Sequence, residues 1–224
     1  MAERYSRLYH LPEDLYTRGA PLVIAAGALL IDNQSGQTIA QLKMRSISPK
    51  TISSVKALVT GLDSAGRTLC QEEHTYAGLN VERDALFGAK EGIRMSVPGV
   101  RSFTARVLAV SFSDGSRYID AGEEWKPLPR QVNLNQRLFD TELIRQYRLE
   151  TSEESRYVPL EAQDLWLCAC GEINHRGESC CRCGHTLAHC KEYLNVERLR
   201  RCSLHVYDGG RIKPFCAKYL TKMD

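Results

Sequence analysis

The sequence is short of several things that would betray a function. It has no P-loop, no dinucleotide-binding glycine pattern, no nucleophile elbow and no H-E-x-x-H pair. Chemistries that depend on those devices therefore have no foothold here. Long hydrophobic runs are missing. The longest, residues 21–31, contains a glycine and is about half the length a membrane-spanning helix needs. Cysteine is nearly absent from the first three quarters: of nine cysteines, only Cys70 precedes residue 168. A secreted disulfide scaffold would distribute its pairs through the domain, so the distribution favours a reducing compartment. The first fourteen residues mix charges with aromatics and read as no signal peptide. The expectation is a cytoplasmic protein without membrane insertion. Charge of one sign is also scarce. The net charge is +3. Residues 184–224 carry eight Lys/Arg against four acids, and the rest carries twenty-two against twenty-three. Only this tail leans basic, and mildly.

What is present divides the chain. From Pro21 to about residue 120 the text is that of β-strands. Residues 22–31 are continuously apolar, as in a strand buried on both faces. In the next segment Thr38, Ala40, Leu42 and Met44 alternate with Ile39, Gln41, Lys43 and Arg45. Further strands are expected at 52–60, with Val55, Ala57 and Val59 in phase, then at 67–76, 92–97, 102–113 and 116–119. In the sixth, Phe103, Ala105, Val107 and Ala109 share one side. Asp-rich and Gly-bearing turns separate them, such as 32–36, 63–66 and 114–115. Asp63, Asp114 and Asp120 fall at such turns, where backbone reasons account for Asp. Seven strands with frequent turn signals and no convincing helix predict a mainly β fold: an antiparallel, Ig-like β-sandwich, with a barrel as the alternative. Residues 1–20 read as irregular surface chain, and 77–89 as a long connection with at most one helical turn.

The expected organisation is a β-sandwich over 1–120, a linker with one helix over 121–159, a zinc ribbon over 160–186 and a basic, partly helical tail over 187–224. The linker helix spans 134–150. Asp140 is its N-cap, and Leu143, Ile144 and Tyr147 form an apolar stripe extended by Leu134, Leu138 and Phe139. That stripe is expected to dock onto the sandwich. A second helix, 191–202, would turn Leu194, Leu199 and Cys202 inward, followed by a turn at 208–210.

The densest chemistry lies in Trp166-Leu167-Cys168-Ala169-Cys170-Gly171-Glu172-Ile173-Asn174 and Cys180-Cys181-Arg182-Cys183-Gly184. Two close thiol pairs separated by a short loop suit one tetrahedral zinc, with sulfurs at roughly 2.3 Å from the metal. Gly171 and Gly184 follow the pairs, where a knuckle turn needs positive φ. The expected ligands are Cys168, Cys170, Cys180 and Cys183. Cys181 is the alternative to Cys180, because Cys181 and Cys183 also form a C-x-C pair. A ligand swap with His185 or Cys190 is a further possibility. Four thiolates would close the metal's shell, so the zinc is read as structural and the protein as non-enzymatic.

The run W-x-C-x-C-G-x-x-N-x5-C-x-x-C resembles the Ran-binding-type zinc ribbon, matching at Trp166, Cys168, Cys170, Asn174, Cys180 and Cys183. The first knuckle and the loop before the second pair are each shorter than in that family. The arrangement as a whole, up to about residue 184, resembles uncharacterised bacterial zinc-ribbon proteins with an N-terminal Ig-like β domain. The resemblance implies that Trp166 packs on the metal knuckle. It also implies that Asn174 ties the loop or, in RNA-binding members, contacts a base. Arg176 and Arg182 would then supply the basic contacts. Ubiquitin-binding members carry Thr-Phe where this chain has Gly171-Glu172, so that activity is not implied. Two functions stand side by side. The first is a non-catalytic zinc-binding adaptor whose partner is another protein. The alternative is RNA or single-stranded DNA binding through the ribbon and tail, with Trp166, Asn174, Arg176 and Arg182 as the contact surface.

Overall fold

A computed structural model describes residues 4–204. The turn at 208–210 and the distal basic residues Arg211, Lys213, Lys218 and Lys222 lie outside the described residues. The chain divides into two compact units between Leu128 and Pro129.

Unit 1 is built of antiparallel strands: β1 (Tyr5–His10), β2 (Leu15–Tyr16), β3 (Leu22–Asp32), β4 (Thr38–Ser46), β5 (Ile52–Leu62), β6 (Thr68–Tyr76), β7 (Leu86–Phe87), β8 (Gly92–Arg94), β9 (Ser102–Phe112), β10 (Arg117–Ile119) and β11 (Lys126–Pro127). One sheet runs β11-β2-β3-β4-β7, with β1 also paired to β3 and β8 to β4. The other runs β10-β9-β5-β6. All seven strands expected from the sequence are present. The apolar run of β3 buries Leu22, Val23 and Ile24 in succession, as a strand covered on both faces must. On β4, Thr38, Ala40, Leu42 and Met44 are buried in alternation. The tight turn at 63–66 works as its composition implies. Asp63 Oδ1 accepts from the amides of Ala65 (2.8 Å) and Arg67 (2.9 Å), and Gly66 supplies φ 77°.

Several expectations need correction. Residues 5–10 are a strand paired to β3, and 77–89 hold β7 and a bridge from Val81 to Ile52. Residues 126–127 pair with β2. These segments lack alternation because they are short edge pieces whose register is set by the strands they join. On β9 the inward set is Phe103, Ala105, Val107 and then Val110, not Ala109. The β5–β9 register shifts where Lys56 pairs with Ala109 and Ala57 with Val107, leaving Leu108 as an extra residue. One inserted residue reverses the faces beyond it.

Unit 2 contains α1 (Leu134–Leu138), α2 (Thr141–Glu150), a sheet of β12 (Leu160–Ala162), β13 (Leu165–Leu167) and β14 (Ile173–His175), then α3 (Leu187–Glu192) and α4 (Val196–Leu204). Asp140 caps α2 as expected, accepting from the Glu142 amide at 2.8 Å. The single helix over 134–150 is instead two. Phe139 breaks it with a left-handed backbone (φ 53°) and is 86% exposed, so it does not extend the stripe. The helix expected over 191–202 is also divided, although Leu199 and Cys202 face inward as foreseen. The α2 stripe buries itself within its own unit: Leu134, Leu138, Leu143, Ile144 and Tyr147 share a core with Ala169, Tyr193 and Leu199. Ala169 lies between Cys168 and Cys170, so the helices hold the cysteine region directly. Among the described residues no helix is long and apolar enough to cross a membrane.

Candidate metal centre

The first thiol pair leaves the end of β13. Trp166 on that strand is fully buried among Cys168, Cys170, Cys180 and Cys190. Its indole N–H donates to the Glu178 carbonyl at 3.1 Å. After Cys170 the chain reverses. The Gly171 amide donates to the Cys168 carbonyl (2.9 Å) and the Cys168 amide to the Glu172 carbonyl (2.8 Å), with Gly171 at φ 95°. A Cβ at Gly171 would also meet the Tyr157 ring at 3.3 Å. The second pair repeats the device. The Gly184 amide donates to the Cys180 carbonyl at 2.9 Å, with Gly184 at φ 75°. Both glycines therefore serve the positive-φ role read from the sequence.

Asn174 joins the two turns. Its side-chain amide donates to the Glu172 carbonyl (3.1 Å) and its oxygen accepts from the Cys181 amide (3.0 Å). Gln131 supports the first turn from the other side. Its side-chain nitrogen lies 3.0–3.2 Å from the carbonyls of Val158, Leu167 and Cys168. Nothing in the sequence pointed to Gln131. It lies 37 residues from Cys168, and a Gln before a helix carries no motif.

The result brings the sulfurs of Cys168, Cys170, Cys180 and Cys183 within 4.8 Å of one another. Cys168 and Cys183 stand 3.4 Å apart, and Cys170 and Cys180 3.5 Å. A tetrahedron of sulfurs about 2.3 Å from a zinc has edges of about 3.8 Å, so the group is nearly of that size. The separations far exceed a disulfide bond of about 2.05 Å, and no disulfide forms among the described cysteines. Four thiols this close cannot all ionise without a balancing charge. Hydrogen bonds with Cys170, Cys180 and Cys190, together with burial, push the Cys168 thiol well up. Those from Cys168 and Cys170 hold Cys180 down. A cation among them removes the conflict. The group could hold a metal ion, and its donors are soft sulfurs of the kind that zinc takes.

Of the two adjacent cysteines, Cys180 is buried and belongs to the group of four, whereas Cys181 is exposed and lies outside it. His185 and His189 stack on each other, with ring centroids 4.4 Å apart, outside the group of four. The His189 Nε2 is 2.8 Å from the Glu150 carbonyl.

The four residues read as a contact surface divide into two kinds. Trp166 and Asn174 have no exposed surface. Arg176 and Arg182 are exposed but matched by acids. Arg176 meets Glu161 at 2.9 Å. Arg182 meets Glu172 at 2.7 Å and Glu154 at 3.4 Å. Lys191 also pairs with Glu161, and Arg198 with Glu192. The cations around the cysteine turns thus arrive already neutralised.

Compared with known proteins, the chain matches no family model, no curated protein and no solved structure.

Proposed function

We propose that this protein is a non-catalytic binding adaptor whose second unit is a ribbon stapled by one structural zinc, held by Cys168, Cys170, Cys180 and Cys183. The observation that carries the reading is the convergence of four largely buried thiols on one point. A catalytic zinc keeps an open position for water. Here sulfurs fill all four positions, and Trp166 and the α3 side close over them. The helices of unit 2 pack on Ala169 inside the first turn, so the ion's place is architectural. A reducing compartment such as the cytoplasm would keep these thiols available. For unit 1 the reading is an Ig-like β-sandwich, a scaffold that presents edges and loops to a partner. It is supported by the two antiparallel sheets and by the contact of Tyr9 with Phe103, ring centroids 5.9 Å apart, from β1 of one sheet to β9 of the other.

RNA or single-stranded DNA binding has less support. Base stacking needs an accessible aromatic face, and Trp166 offers none. Arg176 and Arg182 would have to leave their acids to reach phosphates.

Metal analysis of protein purified without added metal tests the first part. About one zinc per chain is expected, and a folded chain with none would refute the staple. Affinity capture from the native cell, run in parallel with a Cys168→Ser/Cys170→Ser chain, tests the second. Partners retained equally by both chains would remove the ribbon from the adaptor role.

A further inference from the structure

In unit 1 the outer face of the β10-β9-β5-β6 sheet carries a cleft. The strand register makes its floor. Gln71 on β6 pairs with Thr60 on β5, and Thr60 with Thr104 on β9, so these three side chains stand in a row on one face. In the next row Leu58 pairs with Arg106. The alternate residues Val59, Ala105 and Val107 are buried in the core, which turns this set outward. The chain at 122–125 forms the wall beside them and closes a cleft of about 360 Å³. That lies at the lower end of the range for small-molecule sites, about 300–1,000 Å³. The side chains of Thr60, Gln71 and Thr104 make no hydrogen bond among the described residues. Two atoms beside the cleft are also unpaired. The Trp125 indole N–H and Asp120 Oδ2 are buried without a hydrogen-bond partner. Asp120 Oδ2 stands 3.9 Å from Arg106 Nη1, beyond hydrogen-bond reach. Buried polar atoms left unpaired are rare and call for a reason.

We propose that this cleft binds a small, neutral, polyhydroxylated ligand, a saccharide of one or two rings. The site lies wholly within unit 1 and does not depend on the metal reading. A hydroxyl both donates and accepts. It can therefore pair in turn with the two Thr hydroxyls, the Gln71 amide, the Arg106 guanidinium and the Glu123 carboxylate that line the cleft. Charge argues against an anion. Arg106 is the one cation of the lining and already faces Asp120, while Glu123 and Glu124 share the lining with it. A metal ion is not favoured either, because these acids form no metal-sized group among the described residues. An apolar ligand would bury the Thr and Gln groups without partners. The C–H face of a sugar ring instead suits the Leu58 side chain and the indole of Trp125. Trp125 is 8% exposed, so a ring that packs on it displaces the 122–125 segment outward. A ligand hydroxyl then supplies the partner that the indole N–H lacks.

Saturation-transfer NMR on the full-length chain as purified tests this. Glucose, N-acetylglucosamine and cellobiose serve as neutral probes, with glucuronate and glucosamine as charged counterparts. Transfer to the C–H protons of at least one neutral sugar is expected. Thr104→Phe places a β-forming ring at an exposed, outward position. It should fill the floor of the cleft and abolish the transfer. Gln71→Ala, at an exposed position of β6, removes one hydrogen-bonding group and should weaken the affinity by about two- to tenfold. Circular dichroism checks the fold of each variant, and Gln71→Ala carries the test if Thr104→Phe does not fold. Absence of transfer to every neutral sugar overturns the proposal. Transfer that persists unchanged in a folded Thr104→Phe chain, or affinity unchanged in Gln71→Ala, removes the ligand from this cleft and overturns it as well. Stronger transfer to glucuronate or glucosamine than to any neutral sugar overturns the neutral class of ligand.

Discussion

Removing the metal should unfold unit 2 and leave unit 1 standing. Domains below about 70–80 residues rarely draw more than about 3–5 kcal/mol of stability from their core alone. Unit 2, Pro129–Asp224, is only a little larger. Its main core is eight buried residues, and one of them, Ala169, is held in place by the cysteine turn. A structural zinc contributes on the order of 10–16 kcal/mol at neutral pH in small finger peptides. Taking away a term of that size leaves a deficit that the helices cannot make up. Two sulfur pairs in contact at 3.4 and 3.5 Å, with hydrogen bonds from the neighbouring thiols and then burial holding the proton on Cys168, add repulsion and desolvation to the loss. The chain carries a convenient reporter in each unit, since its two tryptophans are Trp125 and Trp166. The Trp125 N–H is buried with no hydrogen-bond partner, so Trp125→Phe removes volume but no hydrogen bond and leaves Trp166 as the only tryptophan, excited selectively at long wavelength. Adding a strong chelator at pH 7 should move the Trp166 emission to longer wavelength as its fully buried ring meets water. Helical circular dichroism should fall at the same chelator concentration, while the β signal of unit 1 persists. Unchanged Trp166 emission from demonstrably metal-free protein would refute the reasoning.

Further outcomes follow from individual residues. Asn174→Ala should destabilise unit 2 by about 2–3 kcal/mol, because it strips a partner from the buried Glu172 carbonyl and the Cys181 amide. It should also speed zinc release to a chelator, and release at the wild-type rate would count against a joining role. Phe139→Gly should stabilise unit 2 by about 0.5–1 kcal/mol, since an exposed left-handed residue loses strain and little packing. Calorimetry of the zinc-loaded chain would read a rise of a few degrees, and a fall would place Phe139 in a contact. Asp63 is held below the usual carboxylate range by the Arg67 amide and, beyond it, the Arg67 side chain and the Ala65 amide. Its folded pKa lies under its unfolded one, so its stabilisation is present above about pH 4 and fades as pH falls below that. Asp63→Asn should therefore flatten the acid limb of the melting curve of unit 1, and an unaltered limb would contradict this. Fluorescence anisotropy with single-stranded RNA at low salt is expected to show no binding that depends on Arg176 or Arg182. Affinity falling steeply with log salt, with the slope reduced by Arg176→Gln or Arg182→Gln, would favour the nucleic-acid reading instead.

The strands of unit 1 were largely legible in the chain because a half-buried strand writes its burial every second residue. Thr38, Ala40, Leu42 and Met44 are buried as their alternation implies. The bulge at Leu108 was not legible, because an extra residue leaves no mark on composition, yet it exchanges Ala109 for Val110 in the core. In unit 2 the cysteine spacing and the two glycines announced the metal-sized cluster, since a turn that brings two thiols together is a local event. Spacing was silent on the rest. Cys180 and Cys181 are adjacent and satisfy nearly the same pattern. Only the fold turns one sulfur inward and spends the neighbour's amide on Asn174. Cys190, Gln131 and Tyr147 stand between 7 and 37 residues from the nearest of the four clustered cysteines. Such meetings are set by the packing of α1, α2 and α4 around Ala169. Local chemistry is written in neighbouring residues, whereas long-range contacts depend on how whole faces pack, and that information is spread over the entire unit.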